Sequence, residues 1–192
     1  MKRLGVKPSH TIVQQPRISN YKISFHTRVP LKYILYNISV NDNTVESINL
    51  EHNYAVLRAG GYVYSLNYSG FINITGLRTL TDIPSAIKVV CKLINLQSSD
   101  YTARIDNITA SGTFGSLIPL HVVRYHFTKS EPIPARFKYN PNFFSGATLK
   151  FYDGRGTIIL FSTGSYTIVG AKTFENIQSI FNETRKFLLQ II

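Results

Sequence analysis

The side chains that could do covalent or metal chemistry are few and are not arranged for it. One cysteine, Cys91, is present, and the five histidines do not fall at metal-ligand spacing. The sequence contains no glycine-rich phosphate loop and no serine or cysteine nucleophile motif, and Asp153 and Glu131 are typical of a turn and a surface position. We therefore predict a protein that is not an enzyme and has no catalytic residue, no metal site and no cofactor. The histidines are His10, His26, His52, His121 and His126.

The composition favours binding to a polyanion instead. The 192 residues include 21 Lys and Arg against 10 Asp and Glu, a formal net charge of +11. Such an excess suits nucleic acid first and an anionic membrane surface second, with a solvated basic surface as the alternative. No segment approaches the roughly 20 apolar residues of a membrane-spanning helix, and the basic N-terminus lacks the apolar core of a secretion signal. We expect a soluble protein with no membrane partner, in a reducing compartment that suits a lone cysteine.

An internal repeat organises the chain. Residues 29–36, Val-Pro-Leu-Lys-Tyr-Ile-Leu-Tyr, recur 89 positions later as residues 118–125, Ile-Pro-Leu-His-Val-Val-Arg-Tyr. Asn20 and Asn107 each begin the segment that leads to these motifs. A repeat of this length indicates two copies of one supersecondary unit. We predict a basic N-terminal arm at residues 1–18, a first repeat at 19–98 and a second repeat at 99–192.

Each repeat predicts the same series of elements. A strand precedes a short helix that begins at a Pro-Leu pair, three hairpin-linked strands follow, and a longer amphipathic helix, with Cys91 at a core position in the first repeat, ends the unit. Two such β-α-β-β-β-α units imply an α+β fold in which helices cover one face of an antiparallel sheet. The predicted strands span 20–27, 54–59, 62–68 and 71–76 in the first repeat and 105–114, 147–152, 157–162 and 165–169 in the second.

The second repeat leaves apolar side chains on the sheet face that its helices do not cover. Residues 158–161, Ile-Ile-Leu-Phe, are apolar at four successive positions, although side chains of a strand alternate between the two faces. Either a second layer of structure or a partner must bury the outer face. Because no sequence is left over to build that layer, we predict that a partner covers it.

These features resemble the TATA-box-binding protein family, whose core is a direct repeat of this element order folded into a pseudo-twofold saddle with helices on its convex face. Residues 139–146, Tyr-Asn-Pro-Asn-Phe-Phe-Ser-Gly, resemble the family's Tyr-Glu-Pro-Glu-Leu-Phe-Pro-Gly. Residues 159–164 and 169–172 resemble its Leu-Ile-Phe-Val-Ser-Gly and Thr-Gly-Ala-Lys. The resemblance covers about residues 18 to 192. It implies a transcription initiation factor that binds the minor groove of A/T-rich promoter DNA and bends it, the family being the established example of this mode.

The resemblance also assigns roles to individual residues. Phe144 and Phe161 match the phenylalanines that wedge between base steps, with two core phenylalanines as the alternative interpretation. Asn20 and Asn107 match the two central asparagines, whose amides can donate to and accept from base edges. The positions that match phosphate contacts are Arg78, Lys172 and Lys150, and those that match groove-facing positions are Thr109, Ile159, Thr167 and Val169 in the second repeat and Lys22, Tyr54, Ser65, Asn67, Asn73 and Thr75 in the first.

Two departures from the family pattern concern the first repeat and the partner surface. Tyr54 takes the place of one wedge phenylalanine, and Asn67 takes the place that Phe161 has in the second repeat. We therefore expect an asymmetric protein whose second repeat kinks DNA strongly while the first holds backbone and base edges. Asn140 and Asn142 replace the acidic residues that receive transcription factor IIB in the family, which argues against recruitment by that route.

The polar first repeat also favours an alternative function. A non-kinking module of the same family would bind nucleic acid, such as an RNA–DNA hybrid or a single strand, or would act as a protein-interaction component of a transcription complex. The partners expected besides double-stranded DNA are a general transcription factor or RNA polymerase subunits, for a chain that is a monomer or a weak dimer. The composition, rich in Asn, Ile and Tyr, is typical of an AT-rich genome, and we expect a nuclear protein or, for a viral gene product, one in a cytoplasmic virus factory.

Overall fold

The computed structural model describes residues 13–27, 45–96 and 102–191. The predicted short helix of the first repeat and residues 1–12 of the predicted N-terminal arm lie outside the described residues. The strands are β1 (Arg17–His26), β2 (Val45–Leu50), β3 (Tyr54–Ala59), β4 (Tyr62–Asn67), β5 (Phe71–Leu77), β6 (Arg104–Thr113), β7 (Ala135–Lys138), β8 (Ala147–Phe151), β9 (Thr157–Leu160) and β10 (Ser165–Ala171). The helices are α1 (Asp82–Leu93), α2 (Leu120–Lys129) and α3 (Phe174–Ile191).

The chain forms two compact units. Unit A comprises Ile18–Ala110 and Val169–Phe174, and unit B comprises Met1–Arg17, Ser111–Ile168 and Glu175–Ile192. In each unit, the helices that the structure describes pack on one face of an antiparallel sheet, as predicted from the α+β pattern.

In unit A, neighbouring strands follow the order β2-β3-β4-β5-β1-β6. Residues on β4 alternate between buried Tyr64 and Leu66 and half-buried Val63 and Ser65, the pattern of a sheet with one covered face. Helix α1 covers the buried face, where the Tyr64 hydroxyl donates a hydrogen bond to the carbonyl of Ala86 at 3.1 Å. Among the described residues of unit A, no helix covers the opposite face of the sheet.

In unit B, the strand order is β10-β9-β8-β7, and an aromatic core joins the sheet to α3. The rings of Phe114 and Phe181 stack with centroids 5.4 Å apart, and Tyr166 packs against both. The Tyr166 hydroxyl donates to the carbonyl of Gln14 at 3.0 Å, and the Gln14 amide donates to Thr113 at 2.9 Å. The last residues of the predicted N-terminal arm are therefore fixed against the sheet.

Each repeat has one strand more than the sequence predicted. The additional strands β2 and β7 stand at the outer ends of the strand order. Strand β2 has no fully buried side chain and β7 is only four residues long, so neither carries the hydrophobic alternation by which strands are recognised in a sequence. Helix α2, which begins directly after Pro119, and the six-residue strand β3 agree with the prediction.

Candidate nucleic-acid interface

The helix-free face of unit B carries an aromatic pair. The ring centroids of Phe144 and Phe161 are 6.0 Å apart at an interplanar angle of 70°, an edge-to-face arrangement. Phe144 is 46% exposed and Phe161 is half-buried, so neither ring belongs to the core. A Cβ at Gly146 would meet Phe144 Cε1 at 2.8 Å, Ile159 Cγ2 at 3.0 Å and Phe161 Cε1 at 3.1 Å. The three side chains therefore converge over the bare backbone of Gly146.

Two turns hold this pair in place. The turn that follows β9 is closed by a 2.9 Å hydrogen bond from the Gly164 amide to the carbonyl of Phe161, and Gly164 has φ of 90°, a conformation that favours glycine. The turn that precedes β8 is organised by Asn140, whose backbone carbonyl accepts from the Phe144 amide at 3.0 Å. The Asn140 side chain accepts from the Asn142 amide at 3.2 Å. Asn140 thus organises the turn that precedes β8.

Cations and small side chains continue the helix-free face of unit B. In the β8–β9 ladder Thr148 faces Ile159 and Lys150 faces Thr157, and in the β7–β8 ladder Arg136 faces Lys150. Lys150 is exposed, and Thr167 on β10 is half-buried between buried neighbours. Arg136 was not predicted as a site residue, because only the cross-strand register brings it beside Lys150. Phe143, which is 89% exposed, was not predicted either.

The helix-free face of unit A carries several polar side chains among apolar ones. One row across the ladders runs through Val56, Ser65, Asn73 and Ser24, and Thr75 faces Val63 in the neighbouring row. Tyr54, which is 41% exposed, pairs with Asn67. The predicted groove-facing residues Tyr54, Asn67, Asn73 and Thr75 therefore share one side of the sheet, as the strand alternation implied.

The hairpin register corrects one expected correspondence between the repeats, that of Tyr54 with a wedge phenylalanine. Ala55 faces Leu66 in unit A as Ala147 faces Leu160 in unit B. Tyr54 therefore stands at the hairpin position of Gly146, and the exposed His52 stands at the position of Phe144. The ring of Tyr54 emerges where unit B has only a glycine backbone, so the two aromatic arrangements are not superimposable.

Asn67 holds a turn together. Its side-chain oxygen accepts from the Ser69 amide at 2.9 Å and from the Ser69 hydroxyl at 2.8 Å. The adjacent Tyr68 does not substitute for a wedge, because its hydroxyl donates to the carbonyl of Glu51 at 2.9 Å. The end of this hairpin therefore presents the aromatic ring of Tyr54 and the amide of Asn67, whose oxygen is already hydrogen-bonded to Ser69.

The two central asparagines are fixed by glycine backbone in unit A. The Gly76 amide donates to Asn20 Oδ1 at 2.9 Å and the Gly170 amide donates to Asn107 Oδ1 at 2.6 Å. Both glycines have positive φ, 91° and 79°, which turns the N–H toward the asparagine. Because each carbonyl oxygen already accepts a hydrogen bond, the amide nitrogen is the group that faces a ligand, with both N–H donors at Asn20 and one at Asn107. Thr109 lies beside Asn107, whose Nδ2 is 3.2 Å from the Thr109 hydroxyl.

Exposed cations follow the ends of β5 and β10. Arg78 and Lys172 both have exposed side chains. The predicted groove-facing residue Val169, on β10, is half-buried. Hydrogen bonds from the Thr79 and Arg78 amides, both 2.9 Å from Asp82 Oδ2, lower the pKa of Asp82. The backbone of Arg78 is therefore fixed to the start of α1 while its guanidinium extends into solvent.

Arg155 serves the fold of unit B. Its guanidinium donates to Ser179 at 2.8 Å and to Glu183 at 2.7 Å, and it lies 4.2 Å from the centroid of the Phe151 ring. These contacts attach the β8–β9 turn to α3.

Lys22, one of the predicted groove-facing residues, lies on β1 of unit A and is half-buried.

Within residues 13–27, 45–96 and 102–191, no cluster of three or more His, Cys, Asp or Glu is placed to hold a metal ion. Within the same ranges, no helix combines the length and apolar character needed to cross a membrane.

Comparisons with known proteins identify relatives of this chain. A family model described as transcription factor TFIID (or TATA-binding protein, TBP) matches residues 102–191. The TATA-box-binding protein of Methanothermobacter thermautotrophicus is 25% identical over 127 residues, covering 64% of this chain and 66% of that protein. TATA-box-binding protein-like 1 of Entamoeba histolytica is 27% identical over 129 residues, covering 65% of this chain and 56% of that protein. The matched part of the chain thus spans less than two thirds of the length of these relatives.

A solved structure has a similar fold over a greater length. The TBP of Methanococcus jannaschii superimposes with a TM-score of 0.71 and 18% sequence identity, covering 93% of this chain and 100% of that protein. The helix-covered antiparallel sheet is therefore shared with that protein.

Proposed function

Because the chain is a divergent member of the TATA-box-binding protein family, we propose that it is a transcription initiation factor that binds the minor groove of A/T-rich promoter DNA and bends it. The family is one of non-enzymatic DNA-binding transcription factors. The observation that carries the proposal is the Phe144–Phe161 pair, which projects from a sheet face that no helix covers. Exposed aromatic rings on such a face suit insertion between base steps.

The energetics favour a wedge in unit B. Unstacking a base step costs a few kcal/mol, and at about 25 cal/mol per Å² of apolar surface the exposed parts of two phenyl rings and Ile159 return an amount of the same order. In unit A, Asn67 supplies an amide in place of a second ring, and its oxygen is already bonded to Ser69. We therefore propose that the kink forms where unit B contacts the duplex, and that unit A holds the other part of the site with less distortion.

The base edges are read by the two central asparagines. Adenine N3 and thymine O2 are acceptors in the minor groove, and A·T and T·A pairs present them alike. Asn20 and Asn107 have their oxygens occupied by Gly76 and Gly170, so each amide offers N–H donors to these acceptors. We propose that Thr75, Thr109, Thr167 and Val169 line the same groove.

Phosphate contacts supply most of the affinity. Arg78, Lys172 and Lys150 are exposed and are proposed to contact the DNA backbone. Six phosphate contacts give a slope of about −5 in a plot of log affinity against log salt concentration. The test is binding and bending of a TATA-containing duplex against a duplex of high G·C content, measured by fluorescence anisotropy and by energy transfer between end labels at several salt concentrations. Equal affinity for both duplexes would contradict the proposal.

A second candidate function rests on the polar face of unit A. Ser65, Asn67 and Asn73 occupy places where an apolar groove-binding surface would be expected, which favours a family member that binds nucleic acid without kinking it or that joins a transcription complex through protein contacts. A steep salt dependence without bending identifies a non-kinking binder, and the absence of both identifies an interaction protein. Under either function we propose general transcription factors or polymerase subunits as partners, a monomer or weak dimer, and nuclear localisation in a eukaryotic cell.

A further inference from the structure

Asn73 differs from its neighbours on the helix-free face of unit A. It lies on β5 opposite Ser65 of β4 and Ser24 of β1. The residue is half-buried, yet its Oδ1 atom is enclosed without a hydrogen-bond donor. The nearby Ser24 hydroxyl is 3.3 Å from Arg104 Nε, from which it accepts. An enclosed acceptor without a partner is unfavourable, so turning this oxygen outward to a ligand that brings a donor would relieve that cost.

No hydrogen bond holds the oxygen of Asn73, unlike those of the two central asparagines. Glycine N–H groups fix Oδ1 of Asn20 and Asn107, and these residues therefore face a ligand as donors. No such bond holds Asn73 Oδ1, and the χ2 torsion of asparagine is broad and roughly two-fold. Rotation about χ2 exchanges the oxygen and the nitrogen, which lets Asn73 present an acceptor to a ligand.

The minor groove of DNA has one base-edge donor. A·T and T·A pairs present the acceptors adenine N3 and thymine O2, whereas a G·C pair adds the guanine N2 amino group. An outward carbonyl at Asn73 therefore matches guanine. Ser65, half-buried beside it, is small and can donate or accept, so the amino group does not meet an apolar surface there. In unit B, Ile159 adjoins two phenyl rings, and these three side chains offer the amino group no acceptor.

We propose that Asn73 is a specificity-determining residue that lets unit A accept a G·C pair in the DNA site through a hydrogen bond from guanine N2 to Asn73 Oδ1. This inference rests on the proposed minor-groove binding. It gives the DNA site a composition that differs along its length: A·T pairs where unit B inserts its rings, and a guanine tolerated where Asn73 lies.

The experiment replaces single base pairs in an A/T-rich duplex bound by the full chain. At each position an A·T pair is replaced by G·C and, separately, by inosine·C, which lacks the N2 amino group, and affinity is measured by anisotropy. At one position or a short run of positions, we expect G·C to bind about fivefold more tightly than inosine·C, as one hydrogen bond would give. In Asn73→Val this preference should vanish at the same positions, whereas Thr75→Val, on the same strand and face, should keep it.

Each other outcome is decisive. Weaker binding of G·C than of inosine·C at every position would overturn the inference, because the amino group would then act only as an obstacle. A preference that survives in a folded Asn73→Val protein, with an unchanged urea midpoint, would overturn it as well. A ribose 2′-hydroxyl is the other minor-groove donor, and an Asn73-dependent gain on ribose-substituted A·T duplexes without a guanine effect would assign the acceptor to RNA instead. If the parent A/T-rich duplex is not preferred over a G·C-rich one, it is the proposed function that fails.

Discussion

Asn67 and Phe161 occupy the same place in their hairpins. The carbonyl of each accepts a 2.9 Å hydrogen bond from the amide of the glycine three residues later, Gly70 and Gly164. The equivalence confirms that one repeat has an amide where the other has a phenyl ring. Two copies of one supersecondary unit have thus kept the turn and changed the side chain that the turn presents.

The first prediction concerns the wedge. Phe161→Ala should abolish bending of a TATA-containing duplex, because the ring that offsets unstacking is removed, while Lys172→Ala should weaken affinity and leave the bend angle unchanged. End-label energy transfer measures the bend and anisotropy measures the affinity. Equal effects of the two substitutions on the bend angle would count against the wedge.

The second prediction restores the missing ring. Asn67→Phe should increase the total bend of the duplex, because unit A would then present an aromatic side chain at the hairpin position of Phe161. The substitution also removes the oxygen that accepts from Ser69 and should lower the free energy of unfolding by about 1 kcal/mol. Asn67→Ala is the matched control, since it loses the same hydrogen bonds and should not increase the bend.

The third prediction concerns Arg155. Arg155→Met should lower the free energy of unfolding by about 2 kcal/mol, because the hydrogen bonds to Ser179 and Glu183 are lost and hydrogen bonds to charged groups are worth about 1.5 to 3 kcal/mol. Arg155 is 16% exposed and is proposed to hold the fold and not DNA. Urea unfolding measures the first effect, and a reduced salt slope for duplex binding in this variant would refute the second.

The fourth prediction is a pH dependence at the start of α1. The amides of Thr79 and Arg78 lower the pKa of Asp82 below its ordinary value of 3.8, so its ionised form stabilises the fold above that value and the stabilisation is lost as pH falls through the lower, folded pKa. Asp82→Asn should therefore be less stable than the parent at pH 6, and the difference should shrink below pH 4. Urea midpoints between pH 6 and pH 2 test this, and a difference that is independent of pH would contradict it.

The repeat, the hairpins and the amphipathic helices could be predicted from the sequence because they depend on local patterns. Strand β3 and helix α2 begin where alternation and the Pro-Leu pair indicate, and Cys91 is buried as its helical spacing implies. The edge strands β2 and β7 could not be predicted in this way. An edge strand buries little surface, so it leaves no hydrophobic pattern in the sequence.

The amino-acid sequence by itself determined the α+β class, the duplicated order of elements, and the replacement of Phe161 in one repeat by Asn67 in the other, since alternation along a strand decides which side chains share a face. Only the tertiary structure decided how the amides are used. Asn20 and Asn107 are fixed as donors by glycines 56 and 63 residues away, and Asn73 has no such partner for its oxygen. Three asparagines thus differ in chemistry because folding brings a glycine N–H from a distant segment to the oxygens of Asn20 and Asn107 and not to that of Asn73.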